Sequence, residues 1–339
     1  MVVRAAGSWE PQPGDVEVAY ELPAGGSAEL RAFWAQSAGV TFTGDFIAQL
    51  PGGRVFGSGV VLSSDGRSIA RDVSVDFGRP FHEHWLLSYQ KIRPPVTLPG
   101  VTAVVATTLG AGYSHWLLEE LPRLLVLRGR AFERLIAHAT SAFSQAALDR
   151  LGLTATVVEA RRYSNFACEQ LVVPSLVGQA GFPTRKVGEL LHDFTADIGR
   201  ATGAHLPERI YVSRDKARRR RVVNEVDVGA RLEARGFTKV CLEDLSWSEQ
   251  IELFRKAKVI VAPHGAGLAN LVFCQPGTRV IEFFHRSYVN GCYWRLASIR
   301  GLDYRPIVPP GPEPLDVQLA ANRCDLVADV AQVEHAVVA

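Results

Sequence analysis

The chain has 339 residues, 47% hydrophobic and 21% charged, which excludes a disordered or fibrous protein and leaves room for two domains at about 150 residues each. Lysine and arginine number 37 against 35 acidic residues, a net charge of +2, so no overall field draws the chain to nucleic acid or to a lipid surface. Five scattered cysteines, Cys168, Cys241, Cys274, Cys292 and Cys324, lack any C-x-x-C spacing, which argues against a disulfide framework and a zinc site.

The apolar runs fall far short of the ~20 residues that span a bilayer, and residues 1–9 lack the apolar stretch of a secretory signal. A cytoplasmic location is the expectation. Residues 1–95 are rich in Gly, Pro and Val, with alternation at 54–62 and a turn at Ser64-Asp65-Gly66, and read as short antiparallel strands. From about residue 100 the texture becomes α/β. A β-branched run at 101–107 precedes a helix at 114–128, in which Pro122 predicts a kink or an early break. Strands at 135–138, 155–160 and 170–174 and a helix at 144–151 complete a first lobe. A Gly/Pro loop at 178–185 and a helix at 187–201 follow, and the lobe boundary is placed there, giving 1–190 and 191–339. The second lobe alternates regularly, with strands at 209–213, 239–242, 259–262 and 279–283 and helices at 225–235, 246–257 and 268–273. Ser246 and Glu249 form a capping box. A Rossmann-like parallel sheet is expected, followed after Pro309 by a weakly helical tail at 317–338 that packs on either lobe.

Four constellations carry chemistry. The strand at 259–262 runs into Pro263, His264, Gly265, Ala266 and Gly267 and then a helix bearing Asn270. At the carboxyl end of a parallel strand such a turn leaves N–H groups at a helix start, where they attract phosphate. Gly265 and Gly267 let the backbone approach a ligand and His264 is placed to donate to a phosphate oxygen; the same residues equally make a tight turn around a packing histidine. The dinucleotide fingerprint G-x-G-x-x-G is absent. Arg214 ends another strand, ahead of a basic loop at Arg218–Arg221 and Asn224-Glu225, and its planar fork suits a phosphate. Arg220 and its neighbours are either phosphate contacts or a solvated loop, and Asn224 is either a ligand contact or a helix cap. Glu282 ends an apolar strand, either taking the two hydroxyls of a ribose or pairing with an arginine at the sheet edge. In the first lobe His115 and Glu119 stand four apart on one helix face, where the carboxylate orients the imidazole. The pair is either a base for a hydroxyl proton or a buried, satisfied histidine. His82 and His84 have no partner carboxylate motif, and no metal is expected.

The ordered set Ser213-Arg214, Arg220-Arg221, Asn224-Glu225, Glu249-Gln250, PHGAGLAN from Pro263 to Asn270 and VIEFF at 280–284, with HWLLEELPR at 115–123, resembles glycosyltransferase family 61. The resemblance covers residues 112–284. It implies a GT-B fold of two Rossmann-like lobes facing a cleft, here with a β-rich segment at 1–95. It further implies a nucleotide-sugar donor, most often a uridine diphosphate sugar, as substrate, inversion at the transferred sugar, and no cofactor or required metal. Arg214, Arg220, His264 and the Gly265–Gly267 amides would then hold the diphosphate and Glu282 the ribose. Asn224 and Asn270 would line the donor pocket, with His115 or Glu119 as the base. A bacterial role in capsule or other surface polysaccharide, with a glycan or other hydroxyl acceptor, peripheral contact with membrane assembly machinery and no nucleic acid partner, completes the expectation. The rival readings are a non-enzymatic sugar-nucleotide or glycan scaffold and, against the missing fingerprint, a nicotinamide-dependent oxidoreductase.

Overall fold

The computed structural model describes residues 8–14, 17–42, 44–76, 80–89, 92–178, 181–198, 206–312, 314–318 and 320–338. The readings made for residues 1–7, for 179–180 of the central loop and for 199–201 of the helix expected at 187–201 lie outside them. The chain divides into two compact units, one of Met1–Val16 and Thr41–Ala180, the other of Glu17–Val40 and Gly181–Ala339. The second unit therefore begins before the expected boundary at 191 and recruits a segment from the N-terminal region. Aromatic packing explains the recruitment. Trp34, on the helix Ala28–Ala35, stacks on Trp294 with centroids 5.0 Å apart and rings 5° from parallel. Trp294 Nε1 donates to Glu21 O, and Arg295 donates to the Ser37 carbonyl and hydroxyl. A stacked pair contributes about 0.5–1.5 kcal/mol beyond the area it buries.

In the N-terminal unit the strands Ser8–Gln12, Asp45–Pro51 and Asn165–Pro174 are antiparallel neighbours. A hairpin of Arg54–Phe56 and Val60–Leu62 joins the start of Asn165–Pro174. Beyond it Val96–Val104, Arg134–Ala137 and Thr156–Glu159 pair in parallel. The β-rich segment is thus not a platform apart from the α/β region. Its strands continue the same sheet, and Leu50, Val55 and Val61 share one core with Val104, Ile136 and Leu171.

The helix read at 114–128 continues through Pro122. Tyr113–His115 and Leu121–Val126 are α-helical and flank a π-helical turn, Trp116–Glu120. Proline lacks an N–H and its ring clashes with the carbonyl four residues back. Widening the preceding turn accommodates both without ending the helix.

The second unit holds a parallel sheet of five strands in the order Thr238–Val240, Arg209–Val212, Val259–Pro263, Arg279–Phe283, Asp303–Ile307. Ile210, Ile260, Val261, Val280 and Ile281 are fully buried, as strands covered on both faces require. The last strand and the helix Cys292–Arg300 were not expected. The helix Trp247–Lys256 starts at Ser246 with both bonds of the capping box. The tail forms a 3-10 turn at Ala321–Arg323 and an α-helix at Val330–Val338, and Val333 and Val337 enter the core beneath this sheet. No helix among the described residues is long and apolar enough to cross a membrane.

Candidate functional site

Counted along the chain, the strands of the second sheet lie in the order second, first, third, fourth, fifth. The crossover leaving the first strand turns one way across the sheet and the crossover leaving the third turns the other. A crevice opens where these directions diverge, at the carboxyl ends of those two strands, and doubly wound sheets bind their ligands there. Arg214 follows the first strand and His264-Gly265 the third.

Arg214 Nε donates to Arg220 O at 3.0 Å and Nη2 to Arg219 O at 2.8 Å, so the loop closes around its guanidinium. Its Nη1 lies against the bare Cα face of Gly265, where a Cβ would overlap it. Gly265 itself is extended, with φ −178°; what it supplies is the absence of a side chain. Arg220 Nε donates to His264 O and Nη1 to Asn322 O, each at 3.1 Å, and its guanidinium lies 5.6 Å from the centre of the Tyr288 ring. Arg220 has φ +54°, a left-handed conformation that costs a non-glycine residue on the order of 1–2 kcal/mol. Among the described residues neither guanidinium has an ion-pair partner. Burial, and then the like charge of Arg220, depress the Arg214 pKa. The two cations are thus crowded together, and no carboxylate of the described residues lies within ion-pair distance of either.

His264 is buried within this group, close to Phe284, Tyr288 and Tyr293. Its Nδ1 is bonded to Glu282 Oε1 at 2.5 Å, and the other Glu282 oxygen accepts from the Tyr304 hydroxyl. Glu282 has no exposed surface. Both of its oxygens are committed, which leaves none for a ribose hydroxyl. Nor does it stand at the sheet edge beside an arginine, since its strand lies between Val259–Pro263 and Asp303–Ile307. The carboxylate fixes the imidazole with Nε2 as the nitrogen left to face a ligand.

The other expected donor contacts divide. The turn after Gly265 is a 3-10 helix, Ala266–Phe273, which takes in the helix expected at 268–273. Its first amides point the way phosphate prefers, and Ala266 is half-exposed beside them. Gly267 is needed for packing, because a Cβ would come within 2.5 Å of Leu242 Cδ1. Asn270 is fully buried and donates to Gln250 Oε1 and Gly267 O at 3.0 and 3.1 Å, so it braces the turn. Asn224 stands at the start of the helix Glu225–Glu233 without capping it. Its amide exchanges two hydrogen bonds of 2.9 Å with the Ala328 backbone. Arg218, Arg219 and Arg221 are exposed, as a solvated loop requires.

In the N-terminal unit the π turn carries two carboxylates. Glu119 Oε1 meets His115 Nδ1 at 2.6 Å, as the spacing predicts, with His115 partly exposed and Glu119 largely buried. Glu119 also borders a small cavity with Ser74, Thr107 and Thr108. Glu120, which sequence reasoning passed over, ties two strand ends together. It accepts from Thr107 N at 2.7 Å and His138 N at 3.1 Å, and meets His138 Nδ1 at 2.7 Å. Arg123 is fully buried and donates to the carbonyls of Val105, Ala106 and Pro174; burial depresses its pKa to about 10. His84 is buried with Nδ1 accepting from Leu86 N, whereas His82 is exposed. Tyr288, Tyr293 and Tyr304 were also missed. The signal for them was present in the run of aromatic residues from Phe284 to Tyr304, which carries no motif.

The stretch 113–281, which holds His115, Glu119, Arg214, Arg220, His264 and Gly265, matches the family described as Glycosyltransferase 61, and Glu282 and the three tyrosines lie beyond it. Over 98 residues the chain is 34% identical to the EGF domain-specific O-linked N-acetylglucosamine transferase of Drosophila melanogaster, covering 28% of this chain and 18% of that protein. Over 67 residues it is 31% identical to a beta-1,2-xylosyltransferase of Oryza sativa subsp. japonica, covering 20% of this chain and 13% of that one. The chain thus spans less than a fifth of the length of either relative. On these matches the chain belongs to glycosyltransferase family 61.

Proposed function

We propose that this protein is an inverting, metal-independent glycosyltransferase of the GT-B kind. Its C-terminal unit holds the diphosphate of a nucleotide sugar, a uridine diphosphate sugar first among candidates, and the acceptor is a glycan or related hydroxyl compound. The observation that carries the reading is the pair of guanidiniums, Arg214 and Arg220, gathered with His264 and Gly265 at the sheet's switch point without a carboxylate partner. In the transfer the acceptor oxygen bonds to the anomeric carbon as the bond from that carbon to the diphosphate oxygen breaks. The acceptor proton passes to His115, oriented by Glu119, or to Glu119 itself. Charge developing on the diphosphate falls on Arg214, Arg220 and the His264 side chain, which do electrostatically what a metal ion would otherwise do. Bacterial surface polysaccharide is the acceptor class to try first. The names of the relatives put N-acetylglucosamine and xylose at the head of the donor panel.

The test is the melting temperature with uridine diphosphate and its sugar conjugates, first without metal and then with magnesium or manganese, since a ligand that binds the native state raises it. The reading expects a rise without metal that Arg214→Ala abolishes. A folded protein that responds to no nucleotide would overturn the donor site.

A further inference from the structure

The tail between the last sheet strand and the final helix touches both flanks of Arg220. Residues 316–318 run beside Ser287–Val289: Val289 N donates to Asp316 O, Gln318 N to Ser287 O, and Tyr288 bridges Val317. The Tyr288 ring lies against the Arg220 guanidinium. A few residues later the tail reaches the Arg220 loop itself. Asn322 O accepts from Arg220 Nη1, Asp325 Oδ1 accepts from Arg221 N at 2.8 Å, and Leu326 N donates to Arg221 O. Val223 N donates to Leu326 O, Val222 and Leu326 form a parallel bridge, and Asn224 closes the run on Ala328. The residue caught between these contacts is the one with the left-handed backbone, and such a conformation persists only where its surroundings over-determine it.

We infer that the tail residues 316–318 and 320–328 form a clasp that sets the position of Arg220, and that Asp325 and Asn224 are positioning residues for diphosphate binding although neither touches the ligand. The inference rests on the donor site proposed above. Charge and clasp make opposite predictions for Asp325. It is an exposed acid whose charge acts on Arg214, so if charge alone mattered its removal would strengthen anion binding. If it holds the loop, its removal weakens binding, because a displaced guanidinium loses its aligned contact with phosphate.

The experiment is calorimetric titration of inorganic pyrophosphate and uridine diphosphate into the full chain, with the ligand-free melting temperature as the folding control. Asp325→Ala and Asn224→Ala are expected to weaken both ligands by about tenfold, roughly one charge-assisted contact. Asp325→Asn keeps the acceptor for Arg221 N without the charge, and is expected to bind at least as tightly as the parent protein. Unchanged or tighter binding in both alanine variants overturns the clasp while leaving the donor site standing, as does failure of Asp325→Asn to restore affinity. If the parent protein binds neither ligand, the diphosphate reading fails and the clasp falls with it.

Discussion

The two units treat the ends of their parallel strands in opposite ways. In the C-terminal unit the ends of Arg209–Val212 and Val259–Pro263 present cations, and Arg214 and Arg220 spend N–H groups on loop carbonyls with no carboxylate of the described residues in direct contact. In the N-terminal unit the ends of Val96–Val104 and Arg134–Ala137 are drawn together by a carboxylate, Glu120, with a second, Glu119, one residue away on a histidine. Arg123 is there too, but wholly buried and surrounded by carbonyls. An arginine at a strand end is therefore no guide by itself. What separates a ligand contact from a structural strut is whether the guanidinium keeps a surface on which an anion can land.

If the contrast is functional, variants in the two regions will fail in different ways. The largest effect is expected at His115 and Glu119. Replacing them by Ala and Gln should lower kcat by about 10²–10⁴-fold, the range of a lost general base, while the melting shift with uridine diphosphate is kept. Arg214→Ala should show the reverse, losing the shift. Full turnover in both His115→Ala and Glu119→Gln would remove the base from this pair. Next is Arg123→Leu, expected to destabilise the N-terminal unit by ~3–5 kcal/mol, because a buried charged hub leaves its partner carbonyls unpaired; urea unfolding reads it. Arg214→Ala should cost the C-terminal unit far less, and equal losses would erase the distinction between strut and ligand contact. Gly265→Ala is smaller. The new Cβ displaces Arg214 Nη1, so pyrophosphate affinity should fall about tenfold, some 1.4 kcal/mol, without a matching loss of stability.

The sequence made the second sheet legible because its strands are short apolar runs separated by capped helices, and strand ends in such a sheet locate the ligand crevice whatever the ligand is. It also made the His115–Glu119 pair legible, since a spacing of four on a helix is local. It concealed everything that depends on distant partners. Glu282 reads as a ribose contact until Tyr304, 22 residues on, and His264, 18 residues back, take its two oxygens. Asn224 reads as a cap until Ala328, 104 residues on, takes its amide. The recruitment of residues 17–40 rests on one tryptophan meeting another 260 positions away, and no local pattern encodes that. Pro122 is a different case: a proline signals a kink or a break in the helix, and its position does not say that a π turn will precede it.

The smallest effect concerns pH, and it tests whether Glu120 holds His138 as an ion pair. Burial disfavours the imidazolium, but the hydrogen bond His138 donates to Glu120, the Glu120 charge and that of Glu159 outweigh burial and raise the His138 pKa above its ordinary value. A folded-state pKa above the unfolded one means the protonated form is stabilised by folding. That contribution is complete below the unfolded value of about 6.5 and is lost as pH rises through the folded pKa. His138 should therefore titrate above 6.5 by proton NMR, and the stability advantage of the parent protein over Glu120→Gln should shrink across that window. A His138 resonance that titrates below the ordinary range would show burial winning over the carboxylate, and Glu120 would then serve as an acceptor for backbone amides rather than as the counter-charge that keeps this strand end ionic.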